Sequence, residues 1–246
     1  MWQNYLNFVS LSEFMTTFTY QERFKTLKGV FDEFTNRNLF ELQSRGYFDE
    51  LVSPLFVGKE SNVFIAKSND KKVIIKIYRI QNCDFNIMFS YIKKDIRYQH
   101  LNKQRRQIIL AWVQREYRNL IKAEHAGISS PKSIAVKNNV LVEEMIGEPA
   151  LQLKDAHPEN PEKFLEEIIL QVRKLYKFGL IHGDLSAFNI LNHQEKPYLI
   201  DFSQATLVKT PNSEELLERD IKNILQFFKK LKVKRDVQEV LGNVKG

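Results

Sequence analysis

The period of the apolar positions changes along the chain, and each change predicts an element. Between residues 24 and 51, Leu27, Val30, Phe31 and Phe34, and then Leu39, Phe40 and Leu42, recur at helical spacing. This predicts two short helices that stop at Gly46. Residues 62–67 and 73–80 are rich in Val, Ile, Phe and Tyr, and the polar run 67–72 between them has the Asn-Asp chemistry of a hairpin turn. Ile108, Ile109, Trp112, Val113, Glu116, Tyr117, Leu120 and Ile121 mark a long amphipathic helix that Gly127 can end. A further strand is expected over 139–146, closed by Gly147-Glu148-Pro149.

Beyond that proline the period is helical again. Phe164, Leu165, Ile168, Ile169, Val172, Leu175 and Tyr176 predict a helix stopping at Gly179. A last helix is expected from Asn212, whose side chain would cap it while Glu215 answers three residues later, through Leu216, Leu217, Ile221, Ile224, Leu225 and Phe228. Strands, helix, strand and then helices describe an α+β chain in two lobes with a cleft between them. The expected division is an arm with helices over 1–50, a β-rich lobe over 51–146 and a helical lobe over 147–246.

Composition narrows the setting. With 43% hydrophobic residues the chain can pack a core, and its single cysteine, Cys83, excludes an internal disulfide. No Cys/His cluster has zinc-ligand spacing, so a reducing compartment, cytosol or nucleus, is expected. Residues 1–20 carry six aromatics and one charge, Glu13, but Gln3, Asn4, Asn7, Ser10 and Ser12 interrupt the run. Neither a signal peptide nor a membrane span is expected there. The net charge of +7 favours polyanionic company such as RNA or nucleotides.

The chemistry concentrates in His182-Gly183-Asp184-Leu185-Ser186-Ala187-Phe188-Asn189 and in Asp201, which ends the apolar run Leu199-Ile200. Protein kinases use such a set: one carboxylate handles the nucleophile's proton, while an Asn and a second Asp hold Mg²⁺ on ATP phosphates. Asp184 suits the first role, and Asn189 and Asp201 supply the hard oxygen ligands that Mg²⁺ prefers. Lys76 lies mid-strand, on the side of Ile74 and Tyr78, and Glu116 falls on the apolar stripe of the long helix. Each is costly to bury alone, and pairing the two removes both penalties; otherwise Lys76 snorkels and Glu116 faces water. Gly58-Lys59-Glu60-Ser61-Asn62, just before the first expected strand, would be the phosphate loop, though it is no G-x-G-x-x-G. Ten residues separate Asp201 from Asn212, too few for a segment that docks a peptide substrate.

With these residues in view, the chain resembles the Rio family of atypical protein kinases, most closely its type-1 branch, over roughly residues 24–246. Gly58 to Val63 resembles the family's G-K-E-[AS]-N-V loop, Ile75-Lys76-Ile77-Tyr78 its V-K-I-Y strand, and Glu116 to Leu120 its E-[FM]-R-N-L helix. Val140-Leu141-Val142 with Glu144, Ile146 and Gly147 resembles the hinge, Asp184-Leu185-Ser186 with Asn189 the D-L-S-x-[FY]-N loop, and Ile200-Asp201 with Ser203-Gln204 the I-D-x-[SG]-Q strand end. Arg219-Asp220 with Asn223 falls in the family's terminal helix. Type-2 members have a winged-helix domain in front, for which the first fifty residues are too few.

The resemblance implies a two-lobed kinase with a reduced helical lobe and no activation segment. It implies catalysis by Asp184 and Asp201, metal at Asn189 and Asp201, and nucleotide contacts from Gly58, Lys59, Ser61, Lys76, Glu116, Glu144 and Ile146. It further implies an ATP- and Mg²⁺-dependent serine kinase or ATPase that acts in late small-ribosomal-subunit maturation, with Asp201 itself phosphorylated in the cycle. The basic clusters Lys93, Lys94, Arg97, Lys103, Arg105, Arg106 and Lys229, Lys230, Lys232, Lys234, Arg235 would then meet rRNA phosphates. No DNA or membrane partner is implied. This chain departs from the family at Glu143, where a methionine usually backs the adenine pocket, and at Gly183, which replaces a common alanine. Two other readings stay open: a nucleotide-sensing assembly factor with negligible catalysis, and a small-molecule phosphotransferase of the aminoglycoside or choline kinase type.

Overall fold

A computed structural model describes residues 31–246 apart from Asn82. The aromatic arm and most of the first expected helix lie outside the described residues. The second expected helix is present as α1, Glu33–Ser44, which Asp32 caps by accepting from the Thr35 N–H at 2.7 Å.

Five antiparallel strands follow: β1 Glu50–Val57, β2 Ser61–Ser68, β3 Lys71–Tyr78, β4 Ser133–Lys137 and β5 Val140–Glu144, in spatial order β1-β2-β3-β5-β4. Alternation along β3 divides its side chains. Val73, Ile75 and Ile77 join Val140 and Val142 of β5 in a core closed by Leu39 and Leu42 of α1. The opposite face carries Tyr78 and Leu141 into the larger core, which runs on into the helical half. That second face holds Lys76, as strand alternation requires.

Three elements of this half were not expected, one of them the short strand β4. β1 begins at Glu50, just past the expected helix stop at Gly46, where no strand was expected. Pro54 and two bulges in its pairing with β2 break the alternation, and most of its side chains are exposed, as suits an edge strand. The third is α2, Phe85–Lys94, which Asp84 caps. Helix α3, Arg105–His125, ends as expected before Gly127, whose φ of +68° is the left-handed conformation of a helix C-cap.

The helical half has α4, Pro161–Lys177, and α5, Ser213–Lys230. Short strands build the cleft floor: β6 Leu151–Gln152, β7 Leu180–Ile181, β8 Ile190–His193, β9 Lys196–Leu199 and β10 Thr206–Leu207. After Asp201 the chain makes one 3₁₀ turn, Phe202–Gln204, and then pairs β10 with β7, so no peptide shelf is formed. Asn212 does precede α5, but it sits at φ +63° and its side chain makes no cap bond; the Ser213 hydroxyl donates instead to the Val208 carbonyl at 2.6 Å. Past the basic run, α6, Val237–Lys245, adds a helix where only a tail was expected, and Asp236 caps it.

Candidate active site

The β8–β9 hairpin explains why residues twelve apart meet. Its register sets Ile190 opposite Leu199, and the Ile200 N–H donates to the Asn189 carbonyl at 3.0 Å, so Asn189 and Asp201 leave the hairpin side by side. The loop that holds Asp184 runs from β7 into β8. From the other lobe, β3 brings Lys76, whose Nζ lies 2.8 Å from Glu116 Oε1 and 3.2 Å from Asp201 Oδ1. The second Glu116 oxygen accepts from the Tyr78 hydroxyl. Lys76 and Glu116 therefore pair, and the snorkelling alternative does not hold.

Burial alone would depress the Lys76 ammonium, but Asp201 and Glu116 hold its pKa well above the ordinary lysine value. Burial would likewise lift Asp201, yet Lys76 and the Ser203 hydroxyl, which donates to Oδ1 at 2.7 Å, keep it below the usual carboxylate range. Asp184 differs. Burial and the Asp201 charge raise it to about 6, in spite of Arg219 and the Asn189 amide. Two carboxylates in one cleft thus have opposite protonation tendencies, which is how acid and base roles become separated.

Asn189 Nδ2 donates to the Asp184 carbonyl at 2.8 Å and to its Oδ2 at 3.2 Å. This leaves Asn189 Oδ1 with no donor among the described residues, at the hairpin end that also presents Asp201. An amide oxygen and a carboxylate suit Mg²⁺, which takes one or two protein ligands and completes its shell with phosphates and water. No three His, Cys, Asp or Glu side chains among the described residues form a cage for an ion.

Around Asp184 the loop is held by packing and hydrogen bonds. His182 packs on Phe202 with ring centroids 4.8 Å apart and donates from Nε2 to the Ile200 carbonyl at 3.0 Å. Burial pushes its pKa down to about 4, so it is neutral and braces the loop. Gly183 has φ +78°, and a Cβ there would lie 2.8 Å from the Gln204 carbonyl oxygen; in this chain the position calls for glycine.

The phosphate loop departs from expectation. The Gly58 N–H donates to the Ser61 carbonyl at 2.9 Å, closing a tight turn and leaving it unavailable to a phosphate. Lys59 is exposed, Ser61 is buried at the start of β2, and Glu60 is half-buried, with its pKa raised to about 6 by burial and then by Asp201. Of the hinge positions, Glu144 is tied to the residue just before β4: its N–H donates to the Lys132 carbonyl at 2.9 Å, and its Oε2 accepts from the Lys132 N–H at 3.2 Å. Ile146 is buried, and among the described residues its N–H has no acceptor.

Sequence reasoning passed over a second layer. Asp220, on the apolar stripe of α5, accepts from the Gly183 N–H at 2.7 Å and the Leu185 N–H at 2.9 Å, and Arg219 donates to the Gly183 carbonyl. Arg115, fully buried on α3, donates to Asp95 and to the carbonyls of Ser203 and Gln204, while Asn119 donates to those of Phe202 and Ala205. In the sequence these residues stand out as polar positions on apolar stripes and, for Asn119 and Arg219-Asp220, as members of the family's motifs, with no role attached to them. Arg115→Met is expected to lower the unfolding free energy by about 3 kcal/mol, since it strands those carbonyls and part of the Asp95 charge. Urea titration checks this; a loss under about 1 kcal/mol would mean that the carbonyls find other donors.

Comparison with known proteins decides the family. A RIO domain model matches residues 62–240. The chain belongs to the RIO family. It is 39% identical over 213 residues to the RIO-type serine/threonine-protein kinase Rio1 of Haloferax volcanii, covering 85% of this chain and 73% of that one. With its counterpart in Methanocaldococcus jannaschii it shares 38% over 229 residues, covering 92% and 79%. These relatives place the chain in the type-1 branch and make it a RIO-type protein kinase, which uses ATP and Mg²⁺. The fold is similar to that of the Rio2 kinase of Chaetomium thermophilum solved as an ADP/Mg²⁺-phosphoaspartate complex, with a TM-score of 0.67 at 23% identity, covering 82% of this chain and 64% of that one.

Proposed function

We propose that this RIO-type kinase acts in late maturation of the small ribosomal subunit, in the cytosol or nucleus, and that its phosphoryl group passes through Asp201 on the way to a serine or to water. The observation that carries this reading is the convergence of Lys76, Asn189 and Asp201 beside Asp184, with no shelf for a peptide. Such a cleft favours a small acceptor or the enzyme's own carboxylate. Asp201 Oδ1 is occupied by Lys76 and Ser203, and Oδ2 accepts no hydrogen bond among the described residues. Attack by Oδ2 on the γ-phosphorus would expel ADP and leave an acyl phosphate. Water positioned by Asp184 would then cleave the new P–O bond, its proton passing to the Asp184 carboxylate. When bound, Mg²⁺ neutralises the phosphate oxygens, and Asn189 Oδ1 and Asp201 would hold it.

Support for an RNA-rich partner is the exposed part of the basic clusters: Lys93, Lys94, Lys103, Lys229, Lys230, Lys232 and Lys234. Not every cluster member is free. Arg97 is bound to Asp95 at 2.6 Å and Arg235 to Glu162 at 2.9 Å, while Arg105 donates to the Gln81 carbonyl. Radiolabel from γ-labelled ATP should become protein-bound, hydroxylamine-labile and absent from Asp201→Asn. Its discharge should accelerate when pre-small-subunit particles are added at low salt. Label that survives hydroxylamine, or appears on Asp201→Asn, would remove the acyl phosphate. Discharge indifferent to the particles would remove the ribosomal partner.

A further inference from the structure

Glu143 is a titratable group in the cleft wall that the reaction does not use. On β5 the residues Val140 and Val142 face α1, so Leu141 and Glu143 face the other way. The register sets Lys76 opposite Leu141 and Ile74 opposite Glu143. Glu143 therefore shares the face of Lys76, one diagonal step of about 7–8 Å away and toward the link that carries the unengaged Ile146 N–H.

Its surroundings leave it without a partner. Lys76 is committed to Glu116 and Asp201, and among the described residues no hydrogen bond or ion pair reaches the Glu143 carboxyl. The charged groups that face it are Glu116 from α3, Lys76 from β3 and Asp201 from the end of the β8–β9 hairpin. Burial, and after it the Glu116 charge, lifts its pKa to about 8, so near neutral pH the side chain is mainly the uncharged acid. A half-buried acid of that kind offers one donor and one acceptor from adjacent oxygens. With Lys76, Asp201 and Asn189 at the phosphate end, a nucleotide lying along this face of β5 would bring its base to Glu143 and the unengaged Ile146 N–H.

We propose that Glu143 is a specificity-determining residue that reads the base of ATP, accepting from the 6-amino group of adenine and donating to the adjacent N7. The pattern is the one a glutamine amide presents to the same edge of adenine, and a base with acceptors at both positions mismatches it. The inference rests on the nucleotide reading of the cleft and adds to it a residue particular to this chain.

The test compares binding of MgATP with that of its 7-deaza analogue, which lacks only the N7 acceptor, by calorimetry at pH 7. Wild type should prefer MgATP about tenfold, and Glu143→Gln, which keeps a donor in place, should retain that preference. Glu143→Met should bind the two within about twofold. Thermal melting controls for folding: Met removes a group that burial disfavours, so that variant should melt no lower than wild type. Equal binding by wild type, or a preference that persists in Glu143→Met, would overturn the role of Glu143. Failure of wild type to bind either nucleotide would remove the nucleotide reading itself, and this inference with it.

Discussion

Asp184→Asn is expected to lower turnover of MgATP by about 10²- to 10⁴-fold, the range a positioned general base contributes. The amide keeps the shape of the carboxylate but cannot take a proton from the attacking oxygen. Because burial and Asp201 raise Asp184 to about 6, wild-type turnover should climb as pH passes through that value and level off above it. The residual activity of the variant should lack this limb. Stability should not suffer. The folded pKa lies above that of an unfolded aspartate, so the native state binds the extra proton between about pH 4 and 6, and stability falls as pH rises through that window. Above it the ionised side chain is a net cost to folding, which asparagine avoids. Steady-state phosphate release from pH 5 to 8, with thermal melts beside it, checks both halves. Turnover within threefold of wild type would remove Asp184 from the chemistry.

How far the sequence announced this site depends on the kind of interaction concerned. Lys76 and Glu116 were legible because each is a charge in an apolar context, one mid-strand and one on a helix stripe, and burial makes such charges find each other. Asp184, Asn189 and Asp201 were legible as a set because phosphoryl transfer requires those groups at ordered positions. Backbone hydrogen bonding has no such signature. Nothing in Gly58-Lys59-Glu60-Ser61 says that the Gly58 N–H is consumed by the Ser61 carbonyl, which makes this loop a turn closing β1 on β2. In the fold, periodicity found the elements that bury one continuous face, such as α3 and α5. It missed β1, an edge strand with Pro54 and mostly exposed side chains, and the two- to four-residue strands of the cleft floor, which are too short to show a period. The cap on α5 shows a subtler limit: Asn212 and Glu215 have capping-box spacing, but the preceding turn puts Asn212 in a left-handed conformation that withdraws its side chain.

The second large effect belongs to a residue that touches no reactant. Asp220 offers one carboxylate oxygen to the Gly183 N–H and the other to the Leu185 N–H, the two amides that flank Asp184 in sequence. Both of these hydrogen bonds are buried beneath α5. Asp220→Ala therefore strands two buried donors at about 1–3 kcal/mol each, and a total loss near 3 kcal/mol is expected in urea unfolding. Asparagine should rescue little, because its single carbonyl oxygen serves one amide while its NH₂ meets the other donor head-on. Catalysis should fall as well. Relaxation of the loop by about 1 Å carries Asp184 and its partner Asn189 away from their places, a displacement that costs on the order of 10²-fold in rate. Single-turnover phosphate release, measured at a temperature where the variant stays folded, separates the two effects: a positioning role lowers kcat with little change in nucleotide affinity, since Lys76 and Asp201 are untouched. Destabilisation below about 1 kcal/mol, or unchanged kcat in the folded variant, would mean that the loop holds its shape without α5.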